Sequence, residues 1–559
     1  MRSQDILQGP EWANVRALYK ASGYTKQELE KPIIGIVNTY NGICPGHKNL
    51  DEVTARVRDG ILASGGTAVE FRSIGACDGV AMAHDGMKYI LPGRECIAND
   101  IEVMCQAHRL DGLVLVGSCD KIVPGLILGA LRVNLPAILV NGGPALPGIM
   151  RDDNPYGGKS IDHSIIQQSE GALKSGLITK EQFDWFEDNA VPTIGSCAML
   201  GTANTMTALS EALGLSLPYC SAIPAVYSQR MQIAYETGIA IMNLVAKDIK
   251  ARDIVIKEAI ENAVMLNSAI GGSTNAVLHI LAIAYEAQVD FNQDDFGLIS
   301  ALVPHLVAMI PAGIYTLLDF YRAGGVPALM QEIKEKLHTS CITCTTKTVA
   351  ENLDGVCNLN KDVIHSIDNP VHNYPGIAVL KGNLAPLGAI TKPSAIPSDA
   401  HVFKGRAVIF ENEQDALLGI RSLKVKEGDV IVIRNAGPKG GPGMPEQYKA
   451  MKLLVGMNLG SKVCVITDGR FSGSNNGCFV GHICPEAYDD GPIKYLENGD
   501  IISIDVDRGI ICADVDFKKR KEDYKKITKD DEIQGYLYNY RHNVAASCDG
   551  AYIKTRKDK

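Results

Sequence analysis

Three short glycine-bearing stretches each present a cysteine: Cys77 in GACDGVAM, Cys119 in GSCDKIVPG and Cys197 in GSCAMLGTANTM. A free cysteine is most often a small buried hydrophobe. These three differ, because glycine lets backbone approach a ligand closely and two of the cysteines are followed directly by an aspartate, Asp78 and Asp120. Soft thiolates select iron–sulfur clusters or zinc, whereas hard carboxylates select magnesium or manganese. The pattern points to a site that holds both kinds of metal. Three thiolates leave one iron of a cluster open, and an open position is what a Lewis acid needs to hold a substrate hydroxyl. That is elimination chemistry rather than electron transfer.

Cys44, in NGICPGH, is a candidate extra ligand, although a cysteine beside a proline is more often structural. CITC at 341–344 has metal-like spacing, but no second pair follows at zinc-ribbon spacing, so it reads as ordinary surface thiols. Glu446, closing the Gly- and Pro-rich run NAGPKGGPGMPEQ, is either a solvated loop acid or a third carboxylate brought to the hard metal from another domain. Ser472, near Arg470 in VCVITDGRFSGSNNG, is by default a turn residue. To act as a base its hydroxyl must ionise, which demands nearby cations or backbone N–H donors. GGKS at 157–160 is no phosphate loop, since Asp153 stands where the first glycine is required. Neither GxGxxG at a helix start nor HExxH occurs, which removes support for nicotinamide dehydrogenases and zinc proteases.

These residues need elements to position them. From Pro32 to Gly143, short apolar runs (PIIGIVNTY, TAVEFRSI, GLVLVGS, PAILVNGG) alternate with amphipathic stretches at 49–64, 93–109 and 124–134. That pattern predicts βαβ units on a mainly parallel sheet. Ligands of such sheets sit at the C-terminal strand ends, so the loops Asn41–Lys48, Gly75–Met87 and Gly117–Pro124 should line the site. Periodic stretches near 204–213, 228–248, 254–266 and 276–288 predict helices that extend the same domain. After about residue 340 the polar HTSCITCTTKTVAENLDGVCNLN reads as a linker. Beyond it GIAVLKGNL, GRAVIFEN, DVIVIR, KVCVITDGR and DIISIDVDRGIICADV predict a β-rich, barrel-like domain with few helices, ending from about Phe517 in a charged helical tail. The expected division is 1–340 for the α/β domain, 341–372 for the linker and 373–559 for the second domain.

At 559 residues, with 46% hydrophobic and 21% charged side chains, the chain has the composition of a globular protein. Its net charge of −9 leaves no electrostatic footprint for nucleic acid or an anionic membrane, and a small molecule is the expected partner. No apolar run reaches the roughly 18 residues that span a bilayer. The opening MRSQDILQGPEW has no apolar signal core, so the expected location is cytoplasmic, where the 15 cysteines would be reduced.

KPIIGIVNTYN, ACDGVAMAHDGMKYILPGRE, DGLVLVGSCDKIVPG, GTANTMTALSEALGLSLP, AIGGSTNAVLHILAIA, VLKGNLAP, GPKGGPGMPE and ITDGRFSG, in that order, resemble the dihydroxy-acid dehydratase and phosphogluconate dehydratase family over nearly the whole chain. The resemblance implies an α/β N-terminal domain and a β-barrel-like C-terminal domain, with the active site between them and a homodimer or homotetramer as the assembly. It implies that Cys119 and Cys197 ligate an iron–sulfur cluster, and that Asp78, Asp120 and Glu446 hold Mg²⁺ with Lys121 as a carbamylated ligand. Ser472 would be the base that takes the C2 proton of a 2,3-dihydroxy acid. Members with a [2Fe–2S] cluster carry cysteine at the position of Gly46, whereas Cys77 matches the position used by [4Fe–4S] relatives. The resemblance therefore favours [4Fe–4S] with Cys77 as third ligand, with [2Fe–2S] as the alternative.

For the substrate, AIPAVYSQR, LAPLGAITKPSA, KGRAVIFEN and especially Leu387 favour a non-phosphorylated sugar acid. GRFSGSNNG, VGHICPEA and DGVAMAHDGMKY favour the alternative, the branched-chain dihydroxy-acid dehydratase acting on 2,3-dihydroxyisovalerate. A non-catalytic iron–sulfur sensor is the remote alternative, and the presence of the hard-metal set and the base argues against it.

Overall fold

The computed structural model describes residues 1–82, 84–150, 160–174, 176–473, 476–524 and 533–556. The GGKS stretch lies outside these residues except for Ser160. Strands β1 (Ile33–Asn38), β2 (Thr67–Arg72), β3 (Gly112–Val116) and β4 (Ala137–Val140) form a parallel sheet in the order β2-β1-β3-β4. β1, β3 and β4 are buried throughout, as apolar strands covered on both faces must be. Helices α1 (Leu50–Ala63), α2 (Ile90–His108) and α3 (Ile122–Val133) make the crossovers. The chain leaves β1 toward one side of the sheet and β3 toward the other, so a crevice opens between their C-terminal ends.

The predicted helical region follows as α4 (Thr202–Ala212), α5 (Ser228–Ala246), α6 (Lys257–Ile270) and α7 (Asn275–Ala287), all contributing to one hydrophobic core with the sheet. The CITC thiols are not at the surface: Cys341 and Cys344 are both buried. Val349 and Leu353 enter the core beside them, while Thr343 accepts a bond from Asn352 Nδ2 at 2.8 Å and exchanges one with Thr345 at 2.9 Å. Polar side chains that satisfy one another locally gave this segment its surface-like pattern.

The second domain is β-rich as expected. Its strands are β5 (Ala378–Leu380), β6 (Gly388–Thr391), β7 (Val402–Phe410), β8 (Asp429–Ile433), β9 (Cys464–Thr467), β10 (Cys478–Cys484), β11 (Ile501–Asp505) and β12 (Ile510–Ala513), in the order β12-β11-β7-β8-β9-β10-β6-β5. Pairing is parallel from β7 through β10 and antiparallel toward both edges. The edges then meet: the Lys381 N–H donates to Gly509 O at 2.8 Å and its carbonyl accepts from Ile511 at 2.9 Å, which nearly closes the sheet into a barrel. Near the chain's end, the Gly550 and Ala551 carbonyls accept from buried Arg94 of α2 at 3.1 and 2.8 Å, tying the tail to the first domain. Among the described residues no helix is long and apolar enough to cross a membrane.

Candidate metal centre

The loops after β1, β2 and β3, together with the one entering α4, converge at the crevice and bring four cysteines together. Cys44 Sγ lies 3.2 Å from Cys119 Sγ. Cys44 also hydrogen bonds Cys77, and the partly buried Cys197 lies within electrostatic range of Cys77, Asp78 and Asp120. With neutral thiols as neighbours, none of these side chains ionises readily. Cys44 is raised by its bond to Cys119, Cys77 by its bond to Cys44, and Cys197 by burial. The Cys44 contact favours the thiolate of Cys119, but burial and nearby negative charge outweigh it and push the thiol up to about 12. A soft cation would reverse that preference, since thiolate is the ligating form.

His47 stands within 4.8 Å of Cys44 and Cys119 but has no nitrogen to spare. Its Nε2 faces the backbone N–H groups of Ser118 (3.3 Å) and Cys119 (3.2 Å) and must accept from them. Nδ1 therefore carries the proton and donates to Thr39 O at 2.7 Å. Burial keeps the ring neutral by lowering its pKa to about 4. His47 is a clamp for the Cys119 loop, and the soft donors are sulfur alone.

Because aspartate follows cysteine in two of these loops, a hard site forms directly beside the soft one. Carboxylate oxygens of Asp78, Asp120 and Glu446 fall within 4.8 Å of one another. Lys121 Nζ sits among them, 2.6 Å from Glu446 Oε1, 3.3 Å from Asp120 and 3.7 Å from Asp78. Burial raises Asp78 well above the usual carboxylate range, and the charge of Asp120 adds to it. For Asp120 burial pulls the same way but is overcome by Lys121 and by hydrogen bonds from Asp78, Lys121 and Thr202, so its pKa is lowered. Glu446 is matched by both Lys121 and the buried Arg470, and burial beside Asp120 keeps Asp78 from ionising readily, so a hard divalent cation would favour the charged form of all three acids, a donor set that suits it.

Glu446 comes from the other domain, as the second of its two sequence readings required. Its run approaches α2 so closely that a Cβ on Gly443, whose φ is +87°, would lie 1.8 Å from Lys88 O. Glu446 and Gln447 then pair in parallel with Arg470 and Phe471, which sets Ser472 one residue beyond. Arg470, fully buried, donates to Glu446 Oε1 and, at 2.6 Å, to Met444 O. Ser472 is 9% exposed, and the Gly473 that follows abuts the start of α4, where an added Cβ would stand 3.0 Å from Thr202 N. The positive end of a helix and the hard site thus flank the serine.

All eight residues to which the resemblance assigns a role lie in or beside this crevice. Asn275 was missed. It is fully buried, and its Nδ2 lies 3.1 Å from each of Glu446 Oε1, Phe471 O and Thr202 Oγ1, while its Oδ1 accepts from Arg470 at 3.1 Å. The signal was present in AIGGSTNAV, a glycine turn opening a helix, but an amide carries no chemistry that draws attention by type.

Residues 31–352 match the family model described as dihydroxy-acid/6-phosphogluconate dehydratase N-terminal, and residues 362–551 match its C-terminal counterpart. The chain is 44% identical to the dihydroxy-acid dehydratase of Pyrococcus furiosus over 559 residues, covering 99% of this chain and 100% of that protein. It is 45% identical to the protein of the same name from Pyrococcus abyssi, with the same coverage, and 45% identical to that of Acetivibrio thermocellus over the full length of both.

Proposed function

The chain belongs to the dihydroxy-acid/6-phosphogluconate dehydratase family and is a hydro-lyase, and from that premise we propose that it dehydrates a branched-chain 2,3-dihydroxy carboxylate to the 2-oxo acid. The observation that carries the chemistry is the acid triad of Asp78, Asp120 and Glu446 built against the thiol pocket. The preference for a sugar acid is not supported. Similar proteins matching end to end are named dihydroxy-acid dehydratase, which favours the branched-chain alternative. Leu387, the residue that weighed most for an aldonate, is 50% exposed on the turn between β5 and β6, its backbone tied to Cys484 and Gln293.

In this reading Cys77, Cys119 and Cys197 hold an iron–sulfur cluster, [4Fe–4S] by preference, and Asp78, Asp120, Glu446 and a carbamylated Lys121 hold Mg²⁺. When bound, the two centres supply Lewis acidity, Mg²⁺ toward the carboxylate and C2 hydroxyl and the cluster toward the departing C3 hydroxyl. Ser472 Oγ removes the C2 proton, its ionised form favoured by the cation the hard site would hold and by the N-terminal N–H groups of α4. Loss of the C3 hydroxyl leaves an enol, which tautomerises to the 2-oxo acid with no net redox change. Asn275 and Arg470 hold Glu446 and the Ser472 strand in fixed relation, so the cation and the base act on one carbon. Residues 1–340 would be the cluster- and magnesium-binding unit and 373–559 the barrel that supplies Glu446 and Ser472. The enzyme would work in the cytoplasm as a homodimer or homotetramer.

The test is anaerobic formation of 2-oxo acid by reconstituted enzyme with Mg²⁺, comparing 2,3-dihydroxyisovalerate with C5 and C6 aldonates. Preference for dihydroxyisovalerate is expected. Turnover confined to aldonates would overturn the substrate assignment and leave the dehydratase chemistry standing.

A further inference from the structure

The Cys44–His47 segment touches every other cysteine loop of the pocket. Asn41 Oδ1 accepts from the N–H groups of Ile43 and Cys44 at 3.0 and 2.8 Å, while Asn41 Nδ2 donates to Gly75 O at 2.8 Å, joining this segment to the Cys77 loop. His47 accepts from the Cys119 N–H, which joins it to the Cys119 loop. The Gly195 N–H donates to Pro45 O at 3.1 Å, which joins it to the Cys197 loop. At the centre Cys44 is 1% exposed, with its sulfur against two other thiols rather than against hydrocarbon alone. A Cβ at Gly46 would lie 2.9 Å from Cys119 Sγ and 3.3 Å from Ser196 Cα, so glycine at this position is what lets the segment pack so near.

We propose that Cys44 is a fourth, displaceable thiolate of this pocket, capping the iron that Cys77, Cys119 and Cys197 leave open until substrate enters. The inference rests on the cluster assignment made above. Cys44 lies in the loop leaving β1 at the crevice where the substrate must also bind, so sulfur and substrate compete for one position. On entry the bond between iron and Cys44 breaks as the substrate's C3 hydroxyl takes its place. The freed thiolate takes up one proton from solvent, and no electron moves. The exchange protects the exposed iron in the resting enzyme and yields it only to a ligand that the neighbouring hard site has already oriented.

The test uses anaerobically reconstituted full-length protein and its Cys44→Ala and Cys44→Ser variants, read by iron and sulfide content, Mössbauer spectra and EPR rather than by turnover. Wild-type protein should show irons in uniform sulfur surroundings without substrate and one altered iron when dihydroxyisovalerate is added. Cys44→Ala should assemble the same cluster with one distinct iron from the start. In air it should lose that iron roughly tenfold faster, seen as the signal of a three-iron cluster. A distinct iron already present in substrate-free wild type, or variant spectra matching wild type, would overturn the role of Cys44 while leaving the cluster intact. Wild-type protein that takes up no iron and sulfide would instead break the cluster assignment, and this proposal with it. If Cys44→Ala does not fold, the wild-type spectra with and without substrate decide the matter alone.

Discussion

The thiol end and the carboxylate end of the crevice are adjacent but differently built. All four thiols come from loops of the α/β domain, held by hydrogen bonds that need nothing from the barrel. The carboxylate end is incomplete without Glu446, which crosses from the barrel to Lys121. Its charges also depend on one another, since Glu446 is the buried counter-ion of both Lys121 and Arg470. The soft site is thus a property of one domain and the hard site a property of the pair. A change at the first should remove both cluster and activity, whereas a change at the second should remove activity and leave the cluster.

The largest effect tests the soft end. Cys119→Ser should bleach the visible absorption of the cluster and abolish turnover together, because the central thiol contact is lost and its loop is the one His47 clamps. A full complement of iron in that variant would remove Cys119 from the ligand set. Across the crevice, Ser472→Ala should lower kcat by about 10²- to 10⁴-fold with absorption unchanged, the range for a positioned proton acceptor. Retained turnover would eliminate the serine as base. Glu446→Gln should also spare the absorption while weakening magnesium binding. Because it removes the counter-ion of Arg470 and the nearest of the three carboxylates around Lys121, it should cost about 3–5 kcal/mol in urea denaturation. Cluster loss in Glu446→Gln would mean that the two ends are not independent.

The same contrast explains how much could be seen in the sequence. The parallel sheet, its crossover helices and the strand-end loops were legible, because alternating apolar runs announce buried parallel strands and ligands gather at their C-terminal ends. Cys-Asp pairs at those ends announced the thiol pocket and the carboxylate group beside it together. What was not legible depended on contacts distant in the chain. Asn275 matters only because Glu446, Phe471 and Thr202 meet around it. Cys44 reads as structural beside its proline until Cys119, 75 positions away, is seen at 3.2 Å. CITC misled in the opposite sense, since its polar neighbours are satisfied by each other while its sulfurs are buried.

A smaller effect should follow from altering how the two domains meet without touching either donor set. Gly443→Ala places a methyl in the space of Lys88 O and forces a side chain onto a φ of +87°. The cost should be about 1–3 kcal/mol, with the Glu446 run displaced from α2. Magnesium should then bind more weakly at full cluster content, measured by titration against iron analysis. Equal losses of magnesium and iron would show that the domain contact supports the whole crevice rather than its hard end.

The smallest effect compares two buried lysines. Lys121 has three carboxylates, whereas Lys392, beyond the end of β6 and 2% exposed, has no hydrogen-bond partner for its Nζ among the described residues. Burial alone lowers the pKa of Lys392 from 10.5 to about 8. Between those two values the unfolded chain binds a proton that the folded protein does not, so this lysine makes stability rise with pH across that window. Below about pH 8 both states are protonated and the full cost of burying the charge is present. Lys392→Met should therefore raise stability by roughly 3 kcal/mol at pH 7 and by progressively less toward pH 10.5, measured by urea denaturation across that range. A loss of stability at pH 7 would mean that the ammonium is matched by negative charge, as that of Lys121 is.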